Sequence, residues 1–405
     1  MLENRRRSGT AAIECRVLMI RVGIFNTHPI QYQAPVWRHL AGDARLDCQV
    51  FFLSRQGSSP AMDPGFGEQF CWDVPLLDGY AHEFLASLPI DEAYRQPLPD
   101  LPRFLDRHRF DVVLVHGYTH AYARQLIRAA RGRYRVVLRG EFSDLQNSGQ
   151  PRWRQIARTL YLRNLYRRID AFSSIGSDST QHLLRHGVAR NRIHLAPYCV
   201  DDELIAHQRA RSDRAAARAA LGLGPDTFLI LFSGKLIPRK QPLMLAEAVE
   251  RMTLRDRVAV CFLGSGEQAA AVEARLRPPL GSRLLMPGFV NQSALGPYFA
   301  AADAFVLPTA HDTWGLVVNE AMHWGLPCVV SDRAGAARDL VVEGVTGFLH
   351  GSADVAQLAR HLDTLAANPA LAGRMGAAAA DRAAGFSSRV TARCLADTFV
   401  TVAAR

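Results

Sequence analysis

Two carboxylates with seven residues between them, Asp312 and Glu320, bracket a glycine in the run 308–331, P-T-A-H-D-T-W-G-L-V-V-N-E-A-M-H-W-G-L-P-C-V-V-S. The run reads as strand end, loop, helix and strand, with Asp312 just before the helix and Glu320 inside it. A helix start points unpaired N–H groups and a partial positive charge at whatever lies before it, which suits a pyrophosphate. At about 1.5 Å rise per residue, Glu320 stands roughly 7 Å beyond Gly315 along the axis. Two acids so placed can hold opposite ends of one elongated ligand, and the pattern reads as a nucleotide-sugar site.

A second cluster supplies the opposite charge. Phe232-Ser233-Gly234-Lys235-Leu236-Ile237-Pro238-Arg239-Lys240 leaves an apolar run. Gly234 lets the backbone approach a ligand, and Lys235 with Lys240 can neutralise a diphosphate. The spacing is not that of a P-loop, because G-x-x-x-x-G-K-[ST] is absent. Alone, two such lysines read as solvated loop charges; their place opposite the helix that carries Glu320 favours the ligand. Gly264-Ser265-Gly266-Glu267 ends another apolar run and permits close contact with a base or phosphate, although by itself it reads as an ordinary turn.

These residues need elements to hold them. Short apolar runs alternate with helical patterns along almost the whole chain, the signature of βαβ units and a parallel sheet. Expected strands at 17–25, 47–52, 112–115, 135–138, 171–175 and 192–195 form one set. A second set follows at 227–232, 258–263, 284–287, 304–307, 327–330 and 346–349. The fold expected is α/β, with two Rossmann-like domains facing across a cleft, where ligands of open sheets bind. The boundaries expected are a loose leader over 1–15, a first domain over 16–200, a linker over 201–225, a second domain over 226–386, and a helix over 387–405 that returns to the first domain.

Composition narrows the partners. The chain has 405 residues, 48 % of them hydrophobic, and a net charge of +10, which suggests an anionic partner: nucleotide, phospholipid surface or nucleic acid. No recognised nucleic-acid module is visible. Seven scattered cysteines without a C-x-x-C pair read as thiols of a reducing cytosol, not as a disulfide framework or zinc site. No apolar run reaches the roughly 20 residues of a membrane span. The arginine-rich helix expected over 152–168 reads as a Rossmann helix whose apolar stripe faces the sheet; contact with a membrane surface is the alternative.

Taken together, Gly234-Lys235 with Lys240, Gly264-Ser265-Gly266, Pro287-Gly288-Phe289, Asp312-Thr313-Trp314-Gly315-Leu316, Glu320-Ala321-Met322, Gly325 and Pro327 resemble the retaining glycosyltransferases of family 4, from about Arg16 to the C-terminus. The resemblance implies the double-Rossmann GT-B fold and transfer of a hexose-like sugar from a nucleoside diphosphate to a glycan or lipid-linked acceptor, as in cell-surface polysaccharide or glycolipid synthesis. It implies that Glu320 holds the ribose and Asp312 the sugar hydroxyls. It also implies that Thr313, Trp314, Gly315 and Leu316 contact sugar and phosphates through main-chain N–H groups, and that Lys235 and Lys240 hold the diphosphate. Catalytic roles are expected for His116, Lys240, Asp312 and Glu320; His116 ends a strand where the family often has a histidine near the transferred sugar. His28, Tyr32, Arg139 and Glu141 are expected on the acceptor side, Arg139 toward a phosphate and Glu141 as its partner. No D-x-D occurs, so no metal and no cofactor is expected. Asp312 stands where the family usually has glutamate and Lys235 where it usually has arginine, which leaves the sugar open. The expected location is the cytoplasm, at the inner face of the membrane. A nucleotide-sugar or glycan-binding protein without catalysis, and a two-Rossmann sugar epimerase, are the rival readings.

Overall fold

Val258–Leu263 is buried at every position, as is Ala304–Leu307. A strand covered on both faces reads as a continuous apolar run, and such runs recur in both halves of the chain. The computed structural model describes residues 19–63, 68–98, 100–144 and 150–405. The leader expected over 1–15, the start of the first expected strand and residues 64–67 lie outside the described residues.

The first domain holds a seven-stranded sheet in the order His82–Phe84, Leu46–Phe52, Ile20–Asn26, Val112–His116, Arg135–Arg139, Ala171–Ser174, Ile193–Leu195. The second holds six strands in the order Leu284–Gly288, Val258–Leu263, Phe228–Ser233, Ala304–Leu307, Cys328–Ser331, Gly347–His350. Every pairing in both sheets is parallel. In each sheet the winding reverses beside the first strand, between Ile20–Asn26 and Val112–His116 and between Phe228–Ser233 and Ala304–Leu307. Such a reversal leaves a crevice at the carboxyl ends of the strands. His116 and Lys235 sit at, or just after, those two places.

Alternation of side chains gives each sheet two cores. Leu229 and Leu231 pack on one face of the second sheet, whereas Phe228, Ile230 and Phe232 pack on the other. The helix Ser388–Ala403 leaves the second domain and buries Leu395, Ala396, Phe399 and Val402 among Val22, Ile24, Val36 and Trp37 of the first. The segment expected to join the domains is helical. Asp202–Arg211 and Arg214–Ala220 are capped by Asp201 and Asp213, and Ile205 and Ala217 join the second core.

One expectation fails at the arginine-rich helix, which spans Arg152–Tyr166. Its inner face is Leu162, Leu165 and Tyr166, whereas Trp153, Ile156 and Leu160 are each more than 60 % exposed. The apolar residues of its first half therefore face outward and not the sheet. No helix among the described residues is long and apolar enough to cross a membrane. The described cysteines are unpaired, and Cys48, Cys199, Cys261 and Cys328 are buried.

Candidate active site

The helix that carries Glu320 is Leu316–His323. Gly315, with φ +98°, turns the chain into it and, as the N-cap residue, offers its N–H groups no side-chain cap. Its far end closes on Gly325: the Gly325 N–H donates to the Met322 carbonyl at 2.9 Å, and Leu326 donates to Ala321 at 3.0 Å. The Asp312 N–H donates to the Arg333 carbonyl at 3.0 Å, which ties the loop before the helix to the neighbouring strand end. Carboxylate, open helix start and second carboxylate are thus fixed by backbone.

The Gly234–Lys240 loop is held from behind. A Cβ on Gly264 would lie 2.1 Å from the Gly234 carbonyl oxygen, and one on Gly266 would lie 2.6 Å from that of Leu236. Leu236 N–H donates to the Ser265 carbonyl at 2.8 Å. Gly264, Ser265 and Gly266 therefore act first as a backbone platform for the lysine loop. Lys240 Nζ donates to Asp312 Oδ2, with Arg239 4.0 Å from the same oxygen. Lys240 and Asp312, to which the family resemblance gives separate roles, are ion-pair partners here.

Glu320 is 4 % exposed; its Oε1 accepts from Tyr32 Oη at 3.2 Å and Gln292 Nε2 at 3.4 Å. Burial raises its carboxyl to about 7, against the opposing effect of those two donors. Tyr32, expected on the acceptor side, belongs to the first domain yet reaches Glu320 of the second. Thr313 Oγ1 donates to Glu141 Oε2 at 2.6 Å, a second bridge across the cleft.

A cavity of about 480 Å³ lies between the two sheet edges, with His28, His116 and Glu141 on one wall and Thr313 and Leu316 on the other. His116 Nδ1 is 2.9 Å from Gln33 Nε2. Burial, with Arg139, His120 and His28 nearby, lowers its pKa to about 3, so the ring is neutral at physiological pH. His28, hydrogen-bonded to Thr27 Oγ1 at 2.9 Å, is lowered to about 4, mainly by burial. Lys240, Asp312 and Glu320 do not line the cavity, although Tyr32, which does, donates to Glu320.

One expected pairing, Arg139 with Glu141, is corrected. Arg139 is 4 % exposed and donates to Ser173 Oγ at 2.8 Å, the Ala196 carbonyl at 2.7 Å and the Pro197 carbonyl at 3.4 Å. Its terminal guanidinium nitrogens are taken up by that hydroxyl and those carbonyls, while the residue itself lines the cavity. Glu141 pairs not with Arg139 but with Thr313 and with Tyr198 Oη, at 3.3 Å. Trp314 is buried, donates to Asn319 Oδ1 at 2.8 Å and packs on Gly176 and Tyr198, so its ring joins the domains while only its main chain faces the loop. Gln33, Arg239 and Gln292 went unpredicted. Gln292 is 28 positions from Glu320, and no local spacing signals that contact. Among the described residues Asp144, His182 and His186 form a group with metal-ligand geometry, but Arg158 and Arg185 each lie 2.9 Å from the same Asp144 carboxylate.

Two parallel-sheet Rossmann-like domains, a cleft between their carboxyl edges and a returning C-terminal helix define the GT-B architecture. Solved structures agree: sucrose-phosphate synthase from Thermosynechococcus elongatus aligns at a TM-score of 0.69 with 18% identity, covering 95% of this chain and 99% of that one. Anabaena HepE, in complex with UDP and glucose, aligns at 0.70 with 17% identity over 94% and 100%. Residues 213–382 match the model of the glycosyl transferases group 1, and residues 32–199 that of the glycosyl transferase 4-like domain. The chain belongs to this glycosyltransferase family. Among curated relatives, the D-inositol 3-phosphate glycosyltransferase of Streptomyces avermitilis is 36% identical over 212 residues, 47% of this chain and 43% of that protein. That of Geodermatophilus obscurus is 32% identical over 241 residues, 56% and 51%. The matches thus span about half the length of these curated relatives.

Proposed function

We propose that the chain transfers a hexose-like sugar from a nucleoside diphosphate to a hydroxyl of a glycan or lipid-linked acceptor, with retention of configuration. The observation that carries this reading is the uncapped start of Leu316–His323, flanked by Asp312 and Glu320 and aimed at a cavity whose opposite wall holds His116. Glu320 takes the ribose hydroxyls, and Asp312 the sugar. Lys235, Lys240 and the helix N–H groups meet the negative charge that develops on the departing diphosphate, and no metal enters the reaction. Neutral His116 sits beside the transferred sugar as a hydrogen-bonding group. The acceptor oxygen bonds to the anomeric carbon as the bond to the diphosphate breaks, and the hydroxyl proton passes to the leaving phosphate. Retention is carried over from the family resemblance. The UDP and glucose of HepE favour a nucleotide-sugar donor, and the glycosyltransferase name of the Streptomyces avermitilis relative favours sugar transfer.

The exposed Trp153, Ile156 and Leu160, interleaved with Arg152, Arg154 and Arg163, favour work at an anionic membrane surface, on the cytoplasmic side where nucleotide sugars are held. Glu320→Gln and Lys240→Ala should each abolish transfer while the circular dichroism spectrum stays native. Near-full activity in both variants would dismiss the site. Thermal stabilisation by UDP-, GDP- and ADP-sugars identifies the nucleobase, since a ligand of the native state raises its stability.

A further inference from the structure

A second cavity, of about 710 Å³, opens beside the first and shares Ser143 and Arg158 with it. Both domains build it. Arg154 and Arg158 come from the helix Arg152–Tyr166, and Arg185 ends the helix Ser177–Arg185; Arg333 and Arg338 follow the strand Cys328–Ser331 of the other domain. Three aspartates share the walls, so five guanidiniums leave an excess of two positive charges. Asp144 is already committed: it lies 2.9 Å from each of Arg158, Arg185 and His182, and fixes those guanidiniums against the wall. Asp178 pairs with Arg338 at 3.1 Å across the domain boundary. Among the described residues neither Arg154 nor Arg333 has a carboxylate partner. Arg333 is also joined through its carbonyl to Asp312 N–H, so the cavity adjoins the donor loop without containing the donor lysines.

We propose that this interdomain arginine pocket binds a phosphate or diphosphate group of the acceptor, as an anion site separate from that of the donor. The inference rests on the transferase reading and adds the chemical class of its acceptor. One guanidinium fork satisfies a carboxylate, whereas a phosphate presents oxygens in several directions and is matched by forks that converge from different elements. An acceptor long enough to pass Arg158 places its hydroxyl in the first cavity and its phosphate in the second. Because the walls come from both domains, the bound anion also holds the cleft closed.

Calorimetric titration of the full chain with pyrophosphate tests this, using Lys240→Ala protein to disable the donor site. Binding should persist in that variant and weaken at least tenfold when Arg154→Ala and Arg333→Ala are added. UDP affinity should be unchanged in Arg154→Ala/Arg333→Ala protein that keeps Lys240. Pyrophosphate binding that vanishes with Lys240→Ala alone, or that ignores the arginine substitutions, overturns the pocket. UDP binding that survives Lys240→Ala intact counts against the donor site instead. The source of the phosphate is read separately, by glycerol 3-phosphate titration and by flotation with phosphatidylcholine vesicles with or without phosphatidic acid. Phosphatidic-acid retention that needs Arg154 and Arg333 puts the phosphate on a lipid; glycerol 3-phosphate binding without such retention puts it on a soluble ester.

Discussion

Lys240 and Asp312 are each largely buried, with side chains 14% and 11% exposed, and each is the other's counter-ion. Removing one partner leaves a charge in a poor solvent, which costs more than removing both. Lys240→Ala should therefore destabilise the protein by about 2 kcal/mol, and Lys240→Ala/Asp312→Asn should recover most of that loss, while both lack transfer; chemical denaturation of the two variants measures it. A diphosphate that draws Lys240 away frees Asp312 for sugar hydroxyls, so the ion pair can serve as a placeholder for the donor. Glu320 makes a different prediction. Its carboxyl ionises near 4.5 when unfolded and near 7 when folded. Between those values the native state holds a proton that the unfolded chain has lost, so this group's contribution to stability falls as pH rises through the window. Denaturation across pH 4.5–8 should show a loss of at most about 3 kcal/mol that Glu320→Gln removes.

The helix Arg152–Tyr166 carries two unlike faces beyond its buried one. Arg154 and Arg158 line the interdomain cavity, while Trp153, Ile156 and Leu160 project outward at helical spacing. Exposed side chains contribute little to folding, so Trp153→Ser/Ile156→Ser/Leu160→Ser should leave the melting temperature within a few degrees of wild type. If this helix meets the bilayer, the same triple variant should lose sedimentation with anionic vesicles, and unchanged sedimentation would place contact elsewhere. The lysine loop shows the opposite economy: Gly264 and Gly266, at φ +142° and +149°, exist to let two backbones touch.

The two domains are joined by further hydrogen bonds that cross the cleft. Asp339 accepts from Ser177 N–H at 2.9 Å and Ser177 Oγ at 2.6 Å; Asp73 accepts from Ser293 N–H at 3.1 Å, and Asn291 Nδ2 donates to the Cys71 carbonyl at 2.8 Å. With Tyr32–Glu320 and Thr313–Glu141 these contacts set the separation of donor and acceptor walls, while the helix Ser388–Ala403 anchors the second domain to the first. Asp339→Ala should let the domains part without unfolding either one. Small-angle scattering should then show a larger radius of gyration that a bound nucleotide sugar reverses; an unchanged radius would show that the other bridges suffice.

The alternation of short apolar runs with helical segments made the double-Rossmann architecture legible in the sequence, because strands buried on both faces read as continuous apolar runs. Asp312, Gly315 and Glu320 were legible for the same reason: helix rise and terminus chemistry are local, and local geometry follows from spacing. The pairing of Arg139 with Glu141 and the burial of the Trp314 ring were not legible, because a side chain's direction depends on what lies across the sheet or the cleft. Ala196 and Pro197 take up the Arg139 guanidinium, and Gly176 makes room for the Trp314 ring. The arginine pocket was beyond sequence altogether, since Arg154 and Arg333 stand 179 positions apart in the chain and meet only where two separately folded domains close. Spacing along the backbone decides what each element can offer; the docking of one domain on the other decides which of those groups remain for a ligand.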